Sequence, residues 1–467
     1  MSIDLTQAME TDTRIAAHLA RVTFDDLPAA TVAATKASVL DTLACMLAGT
    51  TSQDVAAIGA LVADTGGCAT STIVQGGGVK VPPAQAVLVN GAMVHQFDFD
   101  DTHDLGICHP SSATLPAALA MAEATGASGR DLLTAVALGN DLVCRVALAI
   151  HGGLIDYPWF RAPVVGLFGT TAATAKLLGA SAAQHQEALG LTLPLISCTR
   201  ASLHHGGSSV RSIRDGLIYR NGVLAAELAM RGVLGDKAVF EGPYGFYPVF
   251  FRGEYDRSKL LDGLGERYEC EQVSLKPWPS RRTLHRTITA VLDLVTAHAL
   301  TFEQIATVEV MIGDINRPWC QPCSTGMVPR HRIDLLNNLP FAVGAAIRFG
   351  DVTLRPFLDP ALADEVVLRA VPKVRVVDLG RGAGTAVTEP GHVRITTTDD
   401  AVFDCVRDIP LGNPERPMSA VQMRAKFVDC AANAARPVEP GRAAAIVDQV
   451  MSLEAQAEVG SLMRLLG

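Results

Sequence analysis

From about Ala17 to about Gly232 the chain reads as one helical segment after another with only short breaks, and several segments are apolar on nearly every side. A surface helix shows a single apolar stripe, whereas one that is apolar all round has to be enclosed by other helices. This half of the chain is therefore confined to a bundle of buried helices. Ala29–Leu47 has apolar positions at three- and four-residue spacing and stops at Gly49. Val81–Phe97 opens on Pro82 and Pro83, which a first helical turn tolerates. Ser112–Ala124 stops near Gly126, and Gly129–Ile150 starts with Asp131 in its first turn and ends at Gly152–Gly153. Val164–Leu178, Ala182–Leu193 and Gly216–Met230 continue the series. Aromatic residues make up only 5% of the chain and glycine is abundant at 41 residues, so small side chains fill the space between helices.

The texture changes near Leu261. Ala306–Asp314, Val367–Val377, His392–Thr398 and Ala401–Arg407 are β-branched runs that read as strands, with helical stretches Arg282–His298 and Leu335–Arg348 among them. After Asn413 the pattern returns to helix, in Ser419–Ala432 and Arg442–Leu466. The expected fold class is mainly α: a large all-helical domain from residues 1–268 and 408–467, with a smaller α+β domain, residues 269–407, inserted in it. No tandem repeat, charge block or low-complexity tract is present.

Composition excludes several classes. Hydrophobic residues are 49% and charged residues 19% of 467, which is not a disordered chain. With 39 Lys+Arg against 48 Asp+Glu the net charge is −9, which argues against nucleic acid or an anionic membrane as partner. No stretch reaches the roughly eighteen uninterrupted apolar residues of a spanning segment. The polar, acidic start MSIDLTQAMETDTR is unlike a signal peptide. A cytoplasmic location is expected. Ten cysteines are scattered singly, apart from the pair Cys320 and Cys323; with no second pair to complete a zinc site, they are expected to be reduced and no metal is expected.

The densest polar cluster is HQFDFDDTHDLGICHPSS, from His95 to Ser112, between two helical segments. It holds Asp98, Asp100, Asp101, Thr102, His103, Asp104 and His109. A solvated loop with capping aspartates accounts for two or three such acids but strains for this many. The run Asp100 to Asp104 also matches the DDxxD pattern that holds magnesium, but no second acidic motif accompanies it and histidine is soft for that ion. The favoured reading is a carboxylate–imidazole acid/base cluster. Arginines form a second grouping: Arg161 after Trp159-Phe160, Arg211 and Arg214 in SSVRSIRDG, and Arg220 just beyond. Surface salt bridging explains any one of them; together they suit a substrate with several carboxylates. The third motif is LKPWPSRRTLHRTI, where Pro277 and Pro279 stiffen the chain after Lys276, and Arg282 and His285 share a helix face. By spacing alone this motif is a hinge with surface cations; a lysine desolvated beside such a turn is also a candidate base. The glycines at 380, 382 and 384 open no helix and are set aside as a dinucleotide loop, and His151-Gly152-Gly153 and His204-His205-Gly206-Gly207 adjoin no nucleophile motif.

DFDDT followed by HPS, then RAPVVGLFGTTAATAKLLG, NGVLAAELAMRG, EGPYGF, KPWPSRRTLH and NNLPFAVGAAI, in this order, resemble the MmgE/PrpD family over about residues 15 to 435. That family includes 2-methylcitrate dehydratase, cis-aconitate decarboxylase and iminodisuccinate epimerase. The resemblance implies a cofactor-independent homodimer with a helical domain and an inserted α+β lid. It also implies site roles: Asp98 and Thr102 match the family's aspartate and threonine. His109 matches its histidine, with His103 as the fallback. Lys276 matches the lysine of the inserted domain, and Arg282 and His285 the pair after it.

The chain departs from the family pattern at Arg161, where dehydratase and decarboxylase relatives carry histidine. Arg211 and Arg214 stand where those relatives show a lysine and a histidine, and Phe341 stands where the family has tyrosine. Arginine binds carboxylates but does not transfer protons. Elimination of water needs a base and an acid, whereas epimerisation needs only a base on each face of one carbon. The sequence thus leads to the expectation of an epimerase acting α to a carboxylate of a small polycarboxylate such as iminodisuccinate, with a lyase as the alternative. Lys276 and His109, supported by Asp98, are the expected bases and His285 an accessory catalytic residue, while Thr102, Arg161, Arg211, Arg214 and Arg282 contact substrate.

Overall fold

The computed structural model describes residues 5–153, 156–203, 208–320, 332–358, 365–380 and 389–467. The chain divides into two units. The first comprises residues 1–96, 100–274 and 423–467; the second comprises 97–99 and 275–422. The sequence-based boundaries are 268/269 and 407/408, whereas these units divide after Ser274 and Gln422, with Phe97–Phe99 in the second unit.

The first unit is built on long helices that form where glycine and proline punctuate apolar runs. Pro83–Val94, Pro110–Thr125, Gly129–Leu148, Arg161–Leu177 and Val210–Met230 pack on one another at its centre. Along Arg161–Leu177, Val164, Val165, Leu167, Phe168, Ala172 and Ala173 are all buried, so this helix has no solvent face. Ser128 starts Gly129–Leu148 with a capping box, its hydroxyl accepting from the Asp131 N–H while the Asp131 carboxylate accepts in return. Ala29–Gly49 is long and apolar enough to cross a membrane, yet 72% of its most apolar window is buried in the fold. Its two charges are internally paired, Lys36 with Glu454 and Asp41 with Lys426 at 2.6 Å.

Where helices Pro83–Val94 and Val210–Met230 cross, Gly91 and Gly216 meet backbone to backbone. A Cβ on Gly91 would lie 3.1 Å from the Gly216 Cα, and one on Gly216 would run into the Leu88 carbonyl oxygen. The two side chains that matter most at this crossing, His95 after the first helix and Arg214 in the second, come together because these glycines allow close approach.

In the second unit a four-stranded sheet runs Val374–Asp378, Ile305–Ile312, Gly391–Thr397, Val402–Arg407 in spatial order. The first pair is parallel and the other two are antiparallel. Ile305, Val308, Val310 and Ile312 are buried, as are the alternate residues Val393, Ile395 and Thr397, against helix His285–Ala297. Phe341, in Leu339–Phe349, packs edge-on against Phe357 in this core.

Two expectations are corrected. Val367–Val377 is not a single strand: Glu365–Ala370 is helical and only Val374–Asp378 joins the sheet. Val367, Ala370 and Val371 lie three and four apart and are buried, with this helix packed on Leu339–Phe349, so packing overrides β-propensity. Arg442–Leu466 is also broken, into Pro440–Met451 and Gly460–Leu466. The intervening turn brings the Gln456 carbonyl to the Gly129 N–H, at 2.9 Å, satisfying the start of another helix. Cys323, His204–Gly207 and residues 382 and 384 lie outside the described residues.

Asp101 is enclosed in the first unit, and burial pushes its carboxyl up to about 8, with the charges of Asp41 and Asp100 adding to the effect. The folded chain holds this proton up to about pH 8, while the unfolded chain releases it near the ordinary value of about 4. The unfolded state binds fewer protons across that window, so this group's contribution to stability falls as pH rises through it. Asp101→Asn is neutral at every pH, and its melting temperature relative to wild type is expected to rise between pH 5 and pH 8; a parallel pH dependence would contradict the assignment. Gly216→Ala forces the helix crossing apart and is expected to cost about 1–3 kcal/mol in denaturant unfolding; an unchanged midpoint would contradict the close approach.

Candidate active site

The loop that follows helix Pro83–Val94 places its polar groups by short-range geometry. Asp101 Oδ1 accepts the Ser111 N–H at 3.2 Å, capping the buried start of helix Pro110–Thr125, whose first residue is Pro110. Thr102 and Ser274 exchange backbone hydrogen bonds, both at 2.8 Å, fixing the Thr102 side chain. The Thr102 Oγ1 lies 3.3 Å from His109 Nδ1. The same nitrogen is 2.7 Å from the Asp101 carbonyl oxygen and 3.2 Å from Asp100 Oδ2. Since a carbonyl only accepts, Nδ1 carries the proton, and in neutral His109 the lone pair is on Nε2. The side chain of His109 is 16% exposed, against 0% for Asp100 and 2% for His95. Of this trio, His109 alone offers an accessible edge.

His95 sits 4.9 Å from His109, ring centre to ring centre, and its Nδ1 is 2.9 Å from Asp100 Oδ1. The fallback residue, His103, is differently employed: it is buried, its Nδ1 accepts the Gly106 N–H, and burial lowers its pKa. His109 is therefore the histidine that the fold places beside Thr102.

Arg161, Arg211 and Arg214 of the first unit are all buried. Arg161 opens its helix and donates to the carbonyls of Gly152 and Gly153, at 2.8 and 3.4 Å. Arg211 and Arg214 both lie over the ring of Phe160, at 5.9 and 4.2 Å from its centre. Arg214 donates from Nε to Asp215 and reaches His95 Nε2 with Nη2, while its buried Nη1 has no partner among the described residues.

In the second unit Lys276 is wholly buried and donates to both the carbonyl and the carboxylate of Asp98, at 2.8 and 2.5 Å. Asp98 reaches the amine with both groups because its backbone is left-handed, at φ 47°, a conformation aspartate tolerates better than most residues. Gly412, at φ 86°, accepts from the Leu275 N–H in a space where a Cβ would run into the Leu275 carbonyl, and so secures the residue before Lys276. His285 is buried with Nε2 against the Ser280 hydroxyl, 3.1 Å away. Burial and then the nearby Arg282 and Lys276 charges hold it well below the ordinary histidine value, so it is neutral and enclosed, a poor proton carrier. Arg282 reaches the Leu411 carbonyl at 3.4 Å.

Each unit thus carries its own part of the predicted set: Thr102, His109, Arg161, Arg211 and Arg214 in the first, Asp98, Lys276, Arg282 and His285 in the second. The sequence places Asp100 in the acid/base cluster without a role of its own, and assigns none to His95, Phe160 or Asp215. The spacing of His95 and Asp100 across a helix end was the available signal, because five residues with a turn between them can bring the two side chains together. His95, Asp100 and His109 also have ligating atoms within 4.8 Å of one another and could hold a divalent metal ion, although the protons their hydrogen bonds require on both Nδ1 atoms would have to leave first.

Comparison with known proteins places these features. The MmgE/PrpD N-terminal domain matches residues 13–258 and the MmgE/PrpD C-terminal domain matches residues 278–453. The chain is 26% identical over 470 residues to the cis-aconitate decarboxylase-like protein oryM of Aspergillus oryzae, with 94% of each chain covered. It is 27% identical over 402 residues to cis-aconitate decarboxylase of Mus musculus, covering 83% of this chain and 79% of that one. With cis-aconitate decarboxylase of Aspergillus terreus it shares 26% over 484 residues, covering 95% and 93%. Such relatives are enzymes, and with both domain models spanning most of its length the chain belongs to the MmgE/PrpD family.

Proposed function

We propose that this chain is a cofactor-independent lyase acting on a small polycarboxylate, with cis-aconitate the first substrate to test. The observation that carries the reading is the geometry of His109. Its Nδ1 proton is committed to the Asp101 carbonyl with the Asp100 carboxylate behind it, which leaves the Nε2 edge for proton transfer. In a decarboxylation the bond to the departing carboxyl breaks, its electron pair passes into the remaining unsaturated acid, and a proton is then delivered to carbon. An imidazolium at His109 supplies that proton, and the deprotonated ring is restored from solvent. Arg214 Nη1 and the Arg211 guanidinium, both near the ring of Phe160, suit the carboxylates that remain. Lys276, engaged by Asp98, acts as a fixed cation that holds Asp98 in its left-handed turn, and His285 packs beside that turn. The names of the relatives favour the lyase over the epimerase expected from sequence.

The epimerase remains the second reading, on one specific ground: Arg161, Arg211, Arg214 and Phe341 replace groups able to move protons. Incubation with cis-aconitate, 2-methylcitrate and single stereoisomers of iminodisuccinate, in D₂O with proton NMR, separates the two. The lyase predicts release of carbon dioxide or water, and deuterium at carbon where carbon dioxide is lost. Exchange of the α-proton of iminodisuccinate with loss of optical purity, and no unsaturated or decarboxylated product, would replace it with the epimerase. On the substrate that turns over, His109→Gln is expected to lower kcat by about 10²–10⁴-fold with the fold intact. Lys276→Met leaves Asp98 buried without its cation and is expected to lower both activity and melting temperature. A His109→Gln enzyme as active as wild type would contradict the role given to this residue.

A further inference from the structure

Three buried contacts in the first unit form a continuous chain whose direction is fixed by chemistry. A guanidinium has only N–H groups to offer, so Arg214 Nη2, 3.3 Å from His95 Nε2, makes that nitrogen the acceptor. The proton of His95 is then on Nδ1, which donates to Asp100 Oδ1 at 2.9 Å. From the other side His109 Nδ1, protonated because it faces the Asp101 carbonyl, lies 3.2 Å from Asp100 Oδ2. His95 thus donates to one oxygen of the Asp100 carboxylate, while the protonated nitrogen of His109, bonded to the Asp101 carbonyl, lies at ion-pair distance from the other oxygen; the first imidazole is itself held by a cation. Asp215 accepts from Arg214 Nε at 3.2 Å and fixes the far end.

We infer that His95 and Asp100 are positioning residues for His109: His95, oriented by Arg214, aims the Asp100 carboxylate so that positive charge formed during proton transfer resides on the His109 ring alone. His95 already gives its free ring nitrogen to Arg214. Its one lone pair faces the guanidinium, and a proton there would set an N–H against a cation in a space closed to water. The inference rests on the reading of His109 as the proton-transfer group and extends it to residues that no substrate touches. Arg214 thereby commits Nε and Nη2 to Asp215 and His95, while its Nη1, also buried, has no partner among the described residues.

The test combines a signal that needs no substrate with kinetics that do. In chelator-treated protein labelled with ¹⁵N-histidine, the downfield proton spectrum should include imidazole N–H resonances from His95 and His109, assigned by their loss in single variants. His95→Asn keeps an amide N–H where Nδ1 was; it should lose one resonance, retain the His109 resonance, and keep kcat within about fivefold of wild type. His95→Leu removes the donor, and should displace the His109 resonance and lower kcat by about 50-fold or more with KM changed less than about twofold, because His95 orients and does not bind. Asp100→Asn should displace both resonances. A His95→Leu protein with the wild-type His109 resonance and kcat would overturn the relay. So would a folded His95→Asn protein as impaired as His95→Leu, or activity lost on chelation and restored by a divalent metal, which would make the three side chains ligands. Failure of the proposed reaction on every polycarboxylate, with the two resonances behaving as described, would instead refute the substrate reading and leave the relay standing.

Discussion

A carboxylate removed from water has to be given its hydrogen bonds by the protein, and Asp100 has no exposed surface at all. His95 supplies one to Oδ1, and His109 Nδ1 stands 3.2 Å from Oδ2 as a neighbouring charge partner. His95 can reach Asp100 and Arg214 together only because Gly91 and Gly216 let two helices approach at backbone distance. His109 is held because Pro110 and the Asp101 cap fix where its helix begins. The neighbouring acid, Asp101, is treated the opposite way: burial favours its protonated form. Side by side in sequence, one carboxyl is given a donor and a charge partner and the other is pushed toward neutrality, and that division turns a cluster of acids into an arrangement able to handle protons.

Much of this was legible in the sequence. The buried helices could be read because glycine and proline mark their ends, and Pro82, Ser128 and Gly126 stand at helix termini in the structure. The polar cluster was also visible, and the structure brings His95, Asp100, Thr102 and His109 of that segment together. Less legible was anything decided by tertiary packing. The valines around Val367 suggested a strand until contact with Leu339–Phe349 made them helical. Orientation of side chains was equally hidden: Arg161 reads as a substrate contact, yet its Nη2 is occupied by the carbonyls of Gly152 and Gly153. His285 reads as a proton carrier, yet the fold encloses it. The left-handed turn at Asp98 leaves no mark in a single sequence, because aspartate is common in ordinary loops as well.

Membership of the MmgE/PrpD family gives the chain an enzyme's fold, while its individual substitutions leave the reaction to be decided at carbon. Arginine in place of a titratable residue keeps a positive charge and gives up proton transfer, so chemistry concentrates on the residues that can still exchange protons. With Lys276 bound to Asp98 and His285 enclosed, the proposal places proton transfer at His109.

A crystal structure with a non-reacting tricarboxylate analogue bound tests this account most directly. The account predicts the analogue's reacting carbon about 3–3.5 Å from His109 Nε2, with a carboxylate on Arg214 Nη1 and the His95–Asp100–His109 contacts unchanged. An analogue bound out of reach of His109, or a His109 ring turned away from Asp100 on binding, would contradict it.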